Sequence, residues 1–183
     1  IDTGAQAPDF ELESHLDTTV KLSSFQGSKN VLLVFYPLDF SHMSIEIPGL
    51  EALKERFEDC DTQVLGISVD SKFCHKAWAK SFDGITYPLL ADFHPKGGVA
   101  SAYGLMLDDK GITDRATVLI GKDGTVKWAE SAGVGGERNP GDLLGKCKGL
   151  AENGAGAIVL PTVSQPTKAG GHESNGFVAA GCS

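Results

Sequence analysis

In the stretch NVLLVFYPLDFSHMSIEIPGLEAL, residues 30–53, a strand-like apolar run passes into a loop that ends at Ser44, and a charged helical pattern follows. This layout presents one reactive atom at the mouth of a helix. Here that atom is a hydroxyl, which becomes a nucleophile only with a base in hydrogen-bond reach. His42 is the one candidate nearby, and a loop histidine is more often solvated than catalytic. With no G-x-S-x-G elbow in the chain, a serine hydrolase is rejected. The other nucleophiles are four thiols, Cys60, Cys74, Cys147 and Cys182, with neither a C-x-x-C pair nor zinc-ligand spacing. Cys74 falls in the first turn of an expected helix beside His75, where a thiol pKa can be lowered, so it is the best reactive thiol. The simpler reading, a small packed apolar residue, is preferred. Cys182, in a tail without sequence context, reads as incidental.

The elements that must position these groups follow an alternation of β-branched apolar runs with amphipathic ones, the pattern of an α/β layered domain. DFELES and TVKL read as short leading strands. NVLLVFYP is apolar throughout, as a central strand covered on both faces should be. Leu50, Leu53 and Phe57 recur at helical spacing. TQVLGISVD is a second buried strand. SKFCHKAWAKSF is a helix capped by Ser71 or Asp70, and YPLLAD is a third strand. A short helix over Gly98–Tyr103 and a hairpin over TVLIGKDGTVKWAES, turning at Lys122-Asp123-Gly124, come next. Asp142–Leu150 forms a closing helix weakened by Gly145 and Gly149. From 151 to 183 the composition turns to Gly, Ala, Ser, Thr and Pro, which predicts a flexible arm behind one folded domain over 1–150.

A formal charge of −8 without any Lys/Arg run argues against nucleic acid or anionic lipid as partner. The longest apolar stretch falls far short of the roughly 20 residues of a membrane span. The chain starts at Ile1 rather than Met, which leaves targeting open; reduced thiols in a reducing compartment, the cytoplasm, are the expectation.

APDFEL near the start, VLLVFYPLDFS, VLGISVDS followed by HKAW, YPLLAD, AYGL and DRATVLIGKDGTV, in this order and spacing, resemble the peroxiredoxins of the alkyl hydroperoxide reductase and thiol-specific antioxidant type. The resemblance runs from about residue 7 to 130. It implies a thioredoxin-like fold, a central mixed sheet flanked by helices with extra N-terminal strands. It also implies reduction of hydrogen peroxide or organic hydroperoxides by a thiol cycle, with thioredoxin, glutathione or a similar donor as reductant. A homodimer or larger homo-oligomer is expected, and no metal or organic cofactor.

In that family the site reads Pro-x-x-x-Thr/Ser-x-x-Cys, with a Glu shortly after and an Arg from a later strand. Pro37 and Ser41 match, Arg115 matches the Arg, and Ser44 stands where the attacking Cys belongs. By this resemblance Arg115 stabilises the thiolate and donates to the peroxide, Ser41 holds the substrate in line, and Pro37 shields the sulfur. Replacing sulfur by oxygen removes the nucleophile, so turnover is expected to be absent or very low. Ser44 is then a deliberate Cys-to-Ser change, a natural loss, or a misreported position. Glu46 lies two residues after Ser44 where the family has three, and Pro48 is best placed as a first helical residue, which puts the helix start near Pro48. These neighbouring departures favour natural divergence. The alternative function is a non-catalytic binding, chaperone or redox-sensing protein using Cys74 or Cys182. Arg115 has its own alternative, a strand-edge pair with Asp114 or Asp39. Cys147 and Cys182 lie where two-cysteine relatives carry a resolving thiol, without its Val-Cys-Pro context.

Overall fold

The computed structural model describes residues 1–41 and 46–155. His42, Ser44 and Cys182 therefore lie outside the described residues. The chain opens with a hairpin of β1 (Glu11–Glu13) and β2 (Thr19–Lys21) and a 3₁₀ turn over Leu22–Phe25. Next come β3 (Asn30–Phe35), α1 (Glu46–Ala52), α2 (Lys54–Glu58), β4 (Thr62–Ser68), α3 (Lys72–Lys80), β5 (Leu89–Ala91) and α4 (Gly98–Ala102). A small hairpin of β6 (Met106–Leu107) and β7 (Ile112–Thr113) precedes β8 (Ala116–Ile120), β9 (Val126–Ser131) and α5 (Pro140–Ala155).

The main sheet has the order β5-β4-β3-β8-β9, with β3, β4 and β5 parallel and β8 and β9 antiparallel. This is the mixed α/β sheet expected from the sequence, with β3 at its centre. All six β3 residues are buried, and the strand's alternation sends the five apolar ones into two separate cores. Leu32 and Val34 meet Ile47, Leu50, Phe57, Trp78, Leu143 and Leu144 on one face. Val31, Leu33 and Phe35 meet Phe10, Leu22, Ala100 and Tyr103 on the other. Truncating such a residue, Leu33→Ala for instance, is expected to cost about 2–5 kcal/mol.

Three boundaries depart from the sequence expectation. α1 is already helical at Glu46, with Pro48 inside its first turn rather than at its start. The first-turn N–H groups have no intrahelical acceptor, so the missing N–H of Pro48 costs nothing there. Gly49 is explained by packing: a Cβ at this position would come within 2.9 Å of Cγ of Pro140, at the start of α5. The single helix expected through Leu50, Leu53 and Phe57 is interrupted at Leu53 and continues as α2. Finally, α5 begins with Pro140, whose fixed φ suits a first helical position, and runs past Leu150 to Ala155, so residues 151–155 belong to the helix rather than to an arm. No helix among the described residues is long and apolar enough to cross a membrane.

Candidate active site

The register of β3 against β8 sets the frame. Phe35 lies opposite Ala116, so the next residues of each strand, Tyr36 and Pro37 on one side and Arg115 on the other, emerge at the same end of the sheet. Thr113 ties this end together, its hydroxyl donating to the carbonyl of Tyr36 at 2.5 Å. Pro37 is buried and Ser41 half-buried in the loop that leaves β3.

Arg115 is 1% exposed. Its Nη1 donates to Oε1 of Glu46 at 2.5 Å, and its Nε to the carbonyl of Val134 at 3.3 Å. Glu46 also pairs with Arg138, whose Nη1 donates to the carbonyl of Ala116 at 2.7 Å and to Oγ1 of Thr117 at 3.2 Å. Among the described residues, one buried carboxylate is thus shared by two buried guanidiniums, an excess of positive charge at the first turn of α1. Burial lowers the Arg138 pKa from its ordinary value, and the pairing with Glu46 opposes that shift. Asp114 does not play the part of a strand-edge partner for the guanidinium: its carboxylate accepts the backbone N–H of Arg115 and the hydroxyl of Ser131. Asp39, the other expected alternative, is engaged by Tyr36 and His75.

That engagement is a second buried cluster. Asp39 and His75 side chains are both 0% exposed, with Nδ1 of His75 2.7 Å from Oδ2 of Asp39. The Tyr36 hydroxyl donates to Oδ1 of Asp39 at 2.9 Å. On the far side of the ring, Nε2 of His75 lies 3.2 Å from the carbonyl of Leu90, which can only accept, so Nε2 carries a proton. The backbone N–H of Asp39 donates to Oδ2 of Asp70 at 2.8 Å, which also accepts from Ser68 at 2.7 Å. Phe40 follows with φ of 55°, a left-handed conformation that costs a non-glycine residue about 1 kcal/mol or more.

Cys74 sits beside this cluster. Ser71 caps α3, its Oγ accepting the N–H of Cys74 at 3.3 Å, as expected. The thiol, however, is not activated. Desolvation, followed by the nearby carboxylates of Asp39 and Asp70, pushes its pKa up to about 12. Of the two readings of Cys74, this favours the unreactive one: a sulfur next to two carboxylates is opposed as a thiolate whatever the helix terminus contributes. Cys147 is fully buried in the core, where desolvation likewise raises its thiol to about 12, which argues against a resolving role. Cys60 is buried at the turn before β4, its thiol donating to the carbonyl of Arg56 at 3.3 Å.

Two site features gave no signal in the sequence. Arg138 is a single arginine in a Gly- and Pro-rich segment, and nothing in its spacing points at Glu46. The Gly-rich loop GVGGE, residues 133–137, supplies the Val134 carbonyl that accepts from Arg115. The short spacing before Glu46 does not prevent its carboxylate from reaching Arg115.

Residues 3–129 match the model of the AhpC/TSA family. The chain belongs to that family. It is 40% identical over 131 residues to alkyl hydroperoxide reductase E of Mycobacterium tuberculosis, covering 71% of this chain and 85% of that protein. It is 33% identical over 173 residues to the chloroplastic 2-Cys peroxiredoxin BAS1 of Spinacia oleracea, covering 89% of this chain and 64% of that one. Among solved structures, the reduced 2-Cys peroxiredoxin of Plasmodium vivax superposes with a TM-score of 0.77 at 31% identity, covering 89% of each chain. The fold is therefore the thioredoxin-like peroxiredoxin fold, and the charged cluster around Glu46 lies in a peroxiredoxin framework.

Proposed function

We propose that this AhpC/TSA chain carries the site of a thiol peroxidase, acting on hydrogen peroxide or organic hydroperoxides, in a form whose turnover is absent or very low because Ser44 stands in the place of the attacking cysteine. The observation that carries the reading is the buried Arg115–Glu46–Arg138 cluster at the sheet end from which the Pro37–Ser41 loop departs. In the full reaction a thiolate forms a bond to one peroxide oxygen, the O–O bond breaks, and the alcohol or water leaves with a proton. A thiol donor such as thioredoxin or glutathione then reduces the sulfenic acid. An excess of positive charge shielded from water favours both the thiolate and the departing oxygen. A serine hydroxyl cannot take the first step, since it neither ionises near neutral pH nor accepts the oxygen.

Pro37, Ser41 and Arg115 keep the roles the resemblance gives them: shielding, substrate alignment and charge stabilisation. The alternative of redox sensing through Cys74 is disfavoured by its raised thiol pKa, and a non-catalytic binding protein remains the competing reading. Self-association as a homodimer is part of the proposal, supported by the exposed side chains Leu38, Phe40, Phe73 and Phe93 at the active-site end of the sheet. Residence in a reducing compartment such as the cytoplasm fits the free thiols. The deciding experiment is peroxide consumption by Ser44→Cys beside the unsubstituted chain. Activity that appears with the sulfur and vanishes again with Arg115→Ala supports the peroxidase site. An inert Ser44→Cys supports the binding reading.

A further inference from the structure

Asp39 is gripped from three directions. Asp70, leaving β4, accepts its backbone N–H at 2.8 Å; His75 on α3 holds one carboxylate oxygen at 2.7 Å; Tyr36, at the end of β3, donates to the other at 2.9 Å. The next residue, Phe40, is in the left-handed region with φ of 55°. The residue is 62% exposed and its ring only borders that of Trp78, with centroids 6.5 Å apart, so burial of the side chain does not by itself sustain the unfavourable backbone. A strained conformation of this kind persists only where its surroundings over-determine it. One such restraint is its hydrogen-bonded neighbour Asp39, and one residue further on comes Ser41.

We propose that Asp39 and His75 are positioning residues: their buried pair fixes the backbone of Pro37–Ser41 and so sets the Ser41 hydroxyl relative to Arg115. Neither residue touches substrate. The pair acts through the loop, by joining it to α3, while Asp70 joins the same loop residue to the exit of β4. This inference rests on the peroxidase reading of the site for its catalytic consequence, but not for its structural one.

The test has two arms. In the unsubstituted chain, Asp39→Ala and His75→Leu are compared by residue-resolved amide exchange. The expected result is exchange at least about tenfold faster at residues 39–41, with the amides of β3 and β4 little changed. In the Ser44→Cys background, the same substitutions are expected to lower the second-order rate constant with hydrogen peroxide by about 10- to 100-fold. Alkylation of the introduced sulfur by iodoacetamide, which needs no aligned hydroxyl, changes less than about threefold. Asp39→Asn recovers most of the peroxide rate, because its amide can accept from Tyr36 and donate to a neutral Nδ1 of His75. The double substitution is no worse than the stronger single one, as expected for residues acting as a unit. Unchanged exchange at residues 39–41 in both variants overturns the proposal, as does a peroxide rate that falls only in step with alkylation. If Ser44→Cys alone is inert, the peroxidase reading fails, while the exchange arm still decides whether the pair holds the loop. Should Asp39→Ala not fold, His75→Leu carries both arms.

Discussion

Two polar clusters flank the chain between β3 and α1, and they would act on a thiol in opposite ways. Around Glu46, two guanidiniums share one carboxylate, so the excess charge is positive. Around Asp39, two carboxylates face a single imidazole and the thiol of Cys74, and that thiol is driven up to about 12, by desolvation first and by Asp39 and Asp70 after it. Both regions are desolvated, and both are reached from the end of a β-strand. What separates them is the sign of the surplus charge. A peroxidatic sulfur requires the first environment, and the thiol that the sequence places at a helix start lies in the second. Under the proposed peroxidase reading, the first environment is the one that would serve a sulfur at position 44, and Cys74 lies in the second, where a thiolate is opposed.

The contrast can be broken at either cluster. The largest effect is expected from Glu46→Gln, which removes the carboxylate charge that the two buried guanidiniums share. Removing one partner of a buried ionic cluster costs about 3–5 kcal/mol, to be read as a lowered urea midpoint with an unchanged slope. Next is Asp39→Asn, which keeps hydrogen-bonding shape but deletes one negative charge beside Cys74. The Cys74 thiol is expected to fall from about 12 yet stay above its ordinary 9.0, since desolvation, its largest cause, remains. Mass-resolved alkylation of Cys74 against pH measures the shift. A Cys74 profile that does not move contradicts the assignment of Asp39 as a cause.

A smaller effect sharpens the comparison from the neighbouring β1–β2 turn. His15 is buried, with Nε2 donating to the carbonyl of Ile85 at 2.9 Å and Nδ1 accepting the N–H of Leu89 at 3.1 Å, so the ring is neutral. Desolvation holds its pKa below the ordinary 6.5, so the unfolded chain binds a proton that the folded one refuses. Its contribution is therefore complete above about pH 6.5 and is lost as the pH falls from there toward the lowered folded value. The slope is at most about 1.4 kcal/mol per pH unit. Urea titrations between neutral and mildly acidic pH should show it, and His15→Gln should flatten it.

Much of this architecture was legible beforehand because it rests on local patterns. β3 announced itself as central through an unbroken apolar run, and both cores are indeed fed by its alternating residues. Ser71 marked the start of α3, and Arg115 was singled out by its flanking residues. The break at Leu53 was not legible, because apolar spacing continues across it. Arg138 was invisible because its role depends on a long-range meeting with Glu46, separated by most of the chain. The carboxylates around Cys74 are hidden from the sequence for the same reason. The helix start is local, whereas the Asp39 carboxylate that opposes ionisation arrives from the loop after another strand.

The account depends most on one comparison: the rate of hydrogen peroxide consumption by Ser44→Cys against the unsubstituted chain, with a thiol reductant in excess. The predicted result is background turnover by the unsubstituted chain and a rate constant on the order of 10⁴ M⁻¹s⁻¹ or more once sulfur is restored. Equal rates in the two chains, whether both negligible or both substantial, would contradict the claim that a site built for a thiolate is preserved around residue 44.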